Sequence, residues 1–250
     1  DITGINGINV PMSIAPNSVT IGPSNPYTCG ATGTTSPQVA SGGTIGACSW
    51  SFVPPTNNFI WVADNGISCT LNNECDMAHG EACGLSRASI LANSAQRTCG
   101  IFEGYWTANE VCGINPGYAL SPYFCNSPAT NGTFTNMYQC TGTGYNESCY
   151  NTSASSCCGC QNWQDPPTNL QIPSTIPQCS GTNSFWTNDA LPTLSWYKAA
   201  CPPFYVYPFD DKSSTFSCTN QVSGINSTSY TITYCPGGNS GAPVGVVPNP

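Results

Sequence analysis

The chain has 250 residues, with twelve acidic and four basic side chains, a net charge of −8 and 6% charged residues, where about 25% is usual. Nucleic acid and anionic lipid headgroups are excluded as principal partners, because both are met by clustered Lys and Arg, and Arg87, Arg97, Lys198 and Lys212 cannot build a basic patch. A surface made largely of Ser, Thr, Asn, Gly and backbone suits neutral polymers such as polysaccharides, and the length allows a substantial core.

Residues 1–22 read as strand material ending in Asn-Ser and Gly-Pro turns. Residues 23–57, rich in Gly, Thr, Ser and Pro, read as loop held by Cys29 and Cys48, since cross-links remove unfolded-state entropy. Phe59–Ala63 is a short apolar run expected to form a buried strand. Between 69 and 112 the composition shifts toward Ala, Leu, Arg and Glu. Helix is expected within Ser86–Gln96, and Thr107 with Glu110 forms a capping box that starts a second short helix. Cys69, Cys75, Cys83, Cys99 and Cys112 should staple this part.

Residues 113–190 are again loop-rich and dense in cysteine. From 191 onward β signals return. Thr231 and Thr233 alternate with Tyr230, Ile232 and Tyr234, a pattern that predicts a half-buried strand. The Gly- and Pro-rich tail after Cys235 is expected to be ordered only by contacts. The segments are therefore 1–66, a first β part with loops; 67–190, a disulfide-rich region of loops and short helices; and 191–250, closing strands and tail, all in one folded unit.

Within the last segment, Tyr197–Cys218 reads as a strand, an acidic corner at Asp210-Asp211, and a second strand. The plain alternative is that the two aspartates cap a solvated hairpin. Seventeen cysteines imply an oxidising compartment. Asn131, Asn146, Asn151 and Asn226 lie in glycosylation sequons, in keeping with a secreted, extracellular glycoprotein. Zinc is the poorer reading, with one histidine and no paired Cys-x-x-Cys modules. No run of about 18 apolar residues predicts a membrane span. No signal peptide is recognised, so Asp1 is expected to follow a processing event or to open an incomplete sequence.

Four stretches carry a family resemblance. Tyr197-Lys198-Ala199-Ala200-Cys201-Pro202, the aromatic run Phe204–Tyr207, Asp210-Asp211 and Ser214-Thr215-Phe216-Ser217-Cys218 resemble the closing region of thaumatin-like proteins. Asn9-Val10-Pro11-Met12 resembles that family's proline-methionine strand, and Cys157-Cys158-Gly159-Cys160 its vicinal cysteine pair. Cys99–Cys112 is similar to a segment of fungal members. The matches lie in order and span most of the chain. The resemblance implies an all-β fold: a thaumatin-like β-sandwich, a disulfide-rich second region of loops and short helices, and an acidic cleft between them.

The same resemblance pairs Cys29 with Cys218 and Cys201 with Cys48. An odd cysteine count leaves one sulfur without an internal partner, and the resemblance points to Cys235. The family's first strands would precede Asp1. Cys235 is then expected to hold a disulfide-linked N-terminal fragment, to belong to an incomplete sequence, or to bridge two molecules.

Some members of the family hydrolyse β-1,3-glucan, a reaction that needs two carboxyl groups flanking the glycosidic bond. The resemblance sets Asp1 and Asp210 as the catalytic pair, with Asp211 beside them toward substrate; Tyr205 and Tyr207 are the best sugar-stacking pair, because a strand leading into Asp210 would point both to one face. Asn6 stands where relatives often carry aspartate. Trp61, Tyr105, Trp106, Trp163, Trp186 and Trp196 are further sugar-stacking candidates, each with core packing as the commoner role. Glu74–Glu81, with His79, reads as a surface loop rather than a metal site. No Ser-His-Asp set is credible around a single histidine, and no metal or cofactor is expected. The expected partner is β-glucan or another neutral polysaccharide, bound or cut. The rival is a non-enzymatic secreted defence or effector protein that binds a protein.

Overall fold

A computed structural model describes residues 1–8, 12–16, 54–125, 138, 140, 147–165, 178–200, 204–214 and 230–234. Seven strands and four short α-helices are formed among them. In chain order these are β1 (Ile2–Thr3), β2 (Met12–Pro16), β3 (Ile60–Val62), β4 (Glu81–Gly84), α1 (Arg87–Leu91), β5 (Thr98–Tyr105), α2 (Ala108–Ile114), α3 (Leu191–Ala200), β6 (Phe204–Tyr205), α4 (Asp211–Ser214) and β7 (Tyr230–Tyr234).

Three small sheets result. β5 is the centre of an antiparallel three-stranded sheet with β3 on one side and β4 on the other. β2 and β7 pair antiparallel, and β1 runs parallel to β6. Strands joined across so many residues form late in the chain's loop-closure order, and cross-links spanning them would offset part of that entropy. Six disulfides among the described residues close local loops, spanning 8 to 24 residues, rather than these long-range pairings: Cys69–Cys83, Cys75–Cys99, Cys112–Cys125, Cys140–Cys158, Cys149–Cys157 and Cys160–Cys179. The expected stapling of 69–112 is present, with Cys112 reaching forward to Cys125 rather than back. Cys29, Cys48, Cys201, Cys218 and Cys235, and with them the pairings expected from the resemblance, lie outside the described residues. So does the tail.

One buried cluster draws on most of the described chain, including Ile8, Ile60, Leu85, Val111, Trp163, Leu194 and Tyr207. The strand expected at Phe59–Ala63 forms as β3, with Ile60 and Val62 buried. The capping box is complete: Glu110 N–H donates to Thr107 Oγ1 at 3.3 Å, and Thr107 N–H donates to Glu110 Oε2 at 3.2 Å. The helix expected within Ser86–Gln96 is shorter than its composition suggests. It starts on Ser86, whose Oγ accepts from Ser89 N–H, and ends at Leu91.

One strand reading is corrected. Tyr197–Ala200, read as the opening of a strand, is the last turn of α3. Leu191, Leu194 and Lys198 recur at three- and four-residue intervals and are all buried, so helical periodicity overrides the β preference of Trp196 and Tyr197. Pro192 sits in the first turn of α3, where a missing N–H is tolerated. A wider turn, Trp186–Ala190, precedes it, and Leu191 N–H bonds back to Trp186 O. The acidic corner, read as a turn, forms the single helical turn α4, and the second strand expected after it falls on residues 215–218, outside the described residues. The strand at Tyr230–Tyr234 does form, but Ile232 is 53% and Tyr234 67% exposed. Pairing with β2 satisfies its backbone without burying its apolar face.

Candidate functional site: the acidic corner and the start of the chain

The acidic corner is built around Asp210, which is 1% exposed. Five donors reach its carboxylate. Trp163 Nε1–H donates to Oδ1 at 2.7 Å. Lys198 Nζ, Val206 N–H and Ser214 Oγ–H donate to Oδ2 at 2.8, 3.1 and 3.0 Å, and Ser213 Oγ–H closes on Oδ1. Lys198 is fully buried; its ammonium also donates to both serine hydroxyls and lies 5.5 Å from the Trp163 ring centroid. Burial lowers the Lys198 pKa, and the neighbouring Asp210 opposes that shift. The i+3 and i+4 spacing of Ser213 and Ser214 from Asp210 brings both hydroxyls onto one carboxylate. The helical turn α4 supplies that spacing.

The start of the chain lies against this corner through backbone pairing. Ile2 is opposite Phe204 and Thr3 opposite Tyr205, Gly4 N–H donates to Tyr205 O at 3.0 Å, and Thr3 Oγ1–H reaches the same carbonyl at 3.4 Å. Asp1, just before β1, is exposed, as is Asp211. Tyr205 is half-buried, and its hydroxyl donates to Pro208 O at 2.8 Å. Burial raises its pKa, and Asp211 and Asp210 raise it further. Asp1, Tyr205 and Asp211 are thus strung along one strand pair and the turn that leaves it. Asp210 is turned into the interior.

Tyr207 is also internal. Its hydroxyl lies 3.0 Å from that of Tyr150 and accepts from Gln161 N–H at 3.3 Å, and its ring packs edge-on against Trp186 at 5.1 Å. Gly159 permits this approach: at φ +56° a Cβ there would stand 2.8 Å from the Tyr207 ring. Tyr105, Trp106, Trp163, Trp186 and Trp196 are core residues, and Trp61 stacks on Trp106 at 4.4 Å. His79 is exposed, with Nδ1 2.6 Å from Asp76 Oδ2. Cys69, Cys75 and Cys99 come close enough to suggest a metal cage, but all three sulfurs are spent in disulfides. Asn151 is exposed; Asn131, Asn146 and Asn226 lie outside the described residues.

Glu110 was legible only as a helix cap, yet it is the carboxyl with the most unusual surroundings. Burial pushes it up to about 7 against the opposing hydrogen bonds from Thr107. It packs on Gly7, whose φ of +129° and lack of Cβ leave room for the carboxylate. Next to it, Asn109 Nδ2 donates to Asn6 Oδ1 at 2.5 Å. No spacing rule marks such a group; only its tertiary neighbours do.

Short sheets, short helices and dense cross-links define a disulfide-stapled β-rich protein, and no helix among the described residues is long and apolar enough to cross a membrane. The chain is 41% identical over 63 residues to thaumatin-like protein 1 of Pyrus pyrifolia, covering 24% of this chain and 23% of that one. It is 48% identical over 40 residues to pathogenesis-related thaumatin-like protein 3.5 of Cryptomeria japonica, covering 16% and 14%. To an osmotin-like protein of Nicotiana tabacum it is 42% identical over 45 residues, covering 18% and 16%. The chain therefore matches less than a quarter of the length of these relatives, and six disulfides fit their family. No protein-family model matches the chain. No solved structure matches it.

Proposed function

We propose that this chain is a secreted, thaumatin-like protein of the pathogenesis-related kind that binds β-1,3-glucan without cutting it. Segment similarity to proteins bearing those names supports the first part, as do the six disulfides. A surface poor in charge supports a neutral polymer as ligand. The observation that carries binding over hydrolysis is the burial of Asp210. A glycosidase needs two carboxyl groups flanking the bond, and this one is closed off by Lys198, Trp163 and two serines. Asp210 then shapes the corner, while Asp1, Tyr205 and Asp211 meet the sugar.

Retention on insoluble β-1,3-glucan, with release of reducing sugar measured in the same tube, tests the reading. Expected are retention, background sugar release, and a loss of retention of about fivefold in Tyr205→Ala, the scale of one aromatic contact. Sugar release abolished by Asp1→Asn would show a hydrolase instead. A second reading, a protein-binding effector, is favoured by the exposed apolar face of β7. Absence of glucan retention together with capture of a secreted protein partner that is lost in Ile232→Lys would support that reading.

A further inference from the structure

A separate open depression of about 250 Å³ lies between β5, α1 and the loop that follows β3; it is lined by Asp64, Ser68, Ser89, Ser94, Gln96 and Thr98, of which Asp64, Ser68 and Gln96 are exposed. None of its lining residues is Lys, Arg or His, so nothing there would hold a phosphate or carboxylate. Its hydroxyl, amide and carboxylate groups leave it too polar for a lipid chain. At about 30 Å³ per water it holds roughly eight waters, and it falls below the roughly 300–1,000 Å³ of drug-sized sites.

The walls are fixed before any ligand arrives. Cys69–Cys83 and Cys75–Cys99 anchor the residues next to Ser68 and Thr98. Ser89 Oγ–H donates to Gln96 O at 2.8 Å, and Gln96 N–H to Ser94 Oγ at 3.0 Å. Asp64 Oδ1 accepts from Gly66 N–H at 2.8 Å and from Thr98 Oγ1–H at 2.9 Å. Those hydrogen bonds, Gly66 first, hold its carboxyl below the ordinary aspartate range. Among the described residues Oδ2 accepts from Ser86 Oγ–H alone, at 3.5 Å, which leaves acceptor capacity for further donors. Two exposed aliphatic side chains, Ile67 and Leu91, adjoin lining residues in sequence.

We propose that this depression is a binding site for one neutral sugar ring, with Asp64 Oδ2 accepting from ring hydroxyls and Ala88 and Ala92 lying beside the ring. The site is independent of the acidic corner and stands whether or not that corner binds glucan. The test is a titration of the full chain with glucose, followed by residue-resolved NMR shifts. Shifts confined to residues 64–68 and 88–98 are expected. Ala88→Leu, which fills the depression from an exposed helical position that tolerates Leu, should weaken them at least about tenfold, as should Asp64→Asn. Matched thermal midpoints separate these effects from unfolding. The proposal is overturned if glucose shifts nothing, if Ala88→Leu leaves the shifts unchanged, or if propylammonium displaces glucose from the same residues. Glucan retention by Ala88→Leu reports on the acidic corner alone.

Discussion

Asp210 and Lys198 form a buried ion pair whose worth lies in its completeness. Two charges taken out of water cost several kcal/mol each, and only good geometry with further hydrogen bonds offsets this. Here the carboxylate has five donors and the ammonium three oxygens and an aromatic face. Breaking such a pair leaves an uncompensated buried charge. Asp210→Asn should therefore lower stability by about 3–5 kcal/mol, read from the midpoint of denaturant unfolding at unchanged m-value. If the substitution shifts the midpoint negligibly, the carboxylate is solvated and available for chemistry after all.

α2 joins the start of the chain to the main sheet, since Glu110 both caps it and packs on Gly7, while Ile8 bridges to Tyr105 of β5. Among the described residues the Glu110 carboxyl faces the backbone N–H and hydroxyl of Thr107 and the phenols of Tyr123 and Tyr197, none of them a cation. Its folded pKa of about 7 lies above the ordinary 4.5. The neutral form is thus favoured in the folded state, and the contribution to stability is complete below about pH 4.5. It is lost as pH rises through about 7. The loss should stay below about 3 kcal/mol, because the group is only partly shielded from water. In Glu110→Gln, stability measured between pH 4.5 and 7 should lose this slope while keeping the cap. An unchanged slope would place the titrating group elsewhere.

At the scale of the molecule, the described residues form seven strands in three small sheets and four short α-helices, and β3, β4, β5, α1, α2 and α3 share one buried cluster. Sheets this small are marginal alone, so the cross-links contribute a large share of the stability. Cys112–Cys125 ties α2 to the loop behind it across 13 residues. Replacing both cysteines with alanine should cost about 3 kcal/mol by the loop-entropy account, seen as a lower thermal midpoint with retained cooperativity. A midpoint equal to the parent's would mean that packing around Tyr118 and Tyr123 holds the segment without the bridge.

Local chemistry in the chain was enough for the capping box at Thr107–Glu110, the buried strand at Ile60–Val62, the stapling of residues 69–112 and the core placement of most tryptophans. Each depends on neighbours within a few residues, on burial preference or on redox context. What only the tertiary structure decided was which way a given side chain faces. Asp210 and Asp211 are adjacent and chemically alike, yet one is locked against Lys198 twelve residues upstream and the other is exposed. Tyr205 and Tyr207, two residues apart, part company for the same reason: β6 ends at Tyr205, so the strand alternation that would align them does not reach Tyr207. A carboxylate's or phenol's role is set by the donors and rings brought to it from distant parts of the chain, and no local pattern encodes those partners.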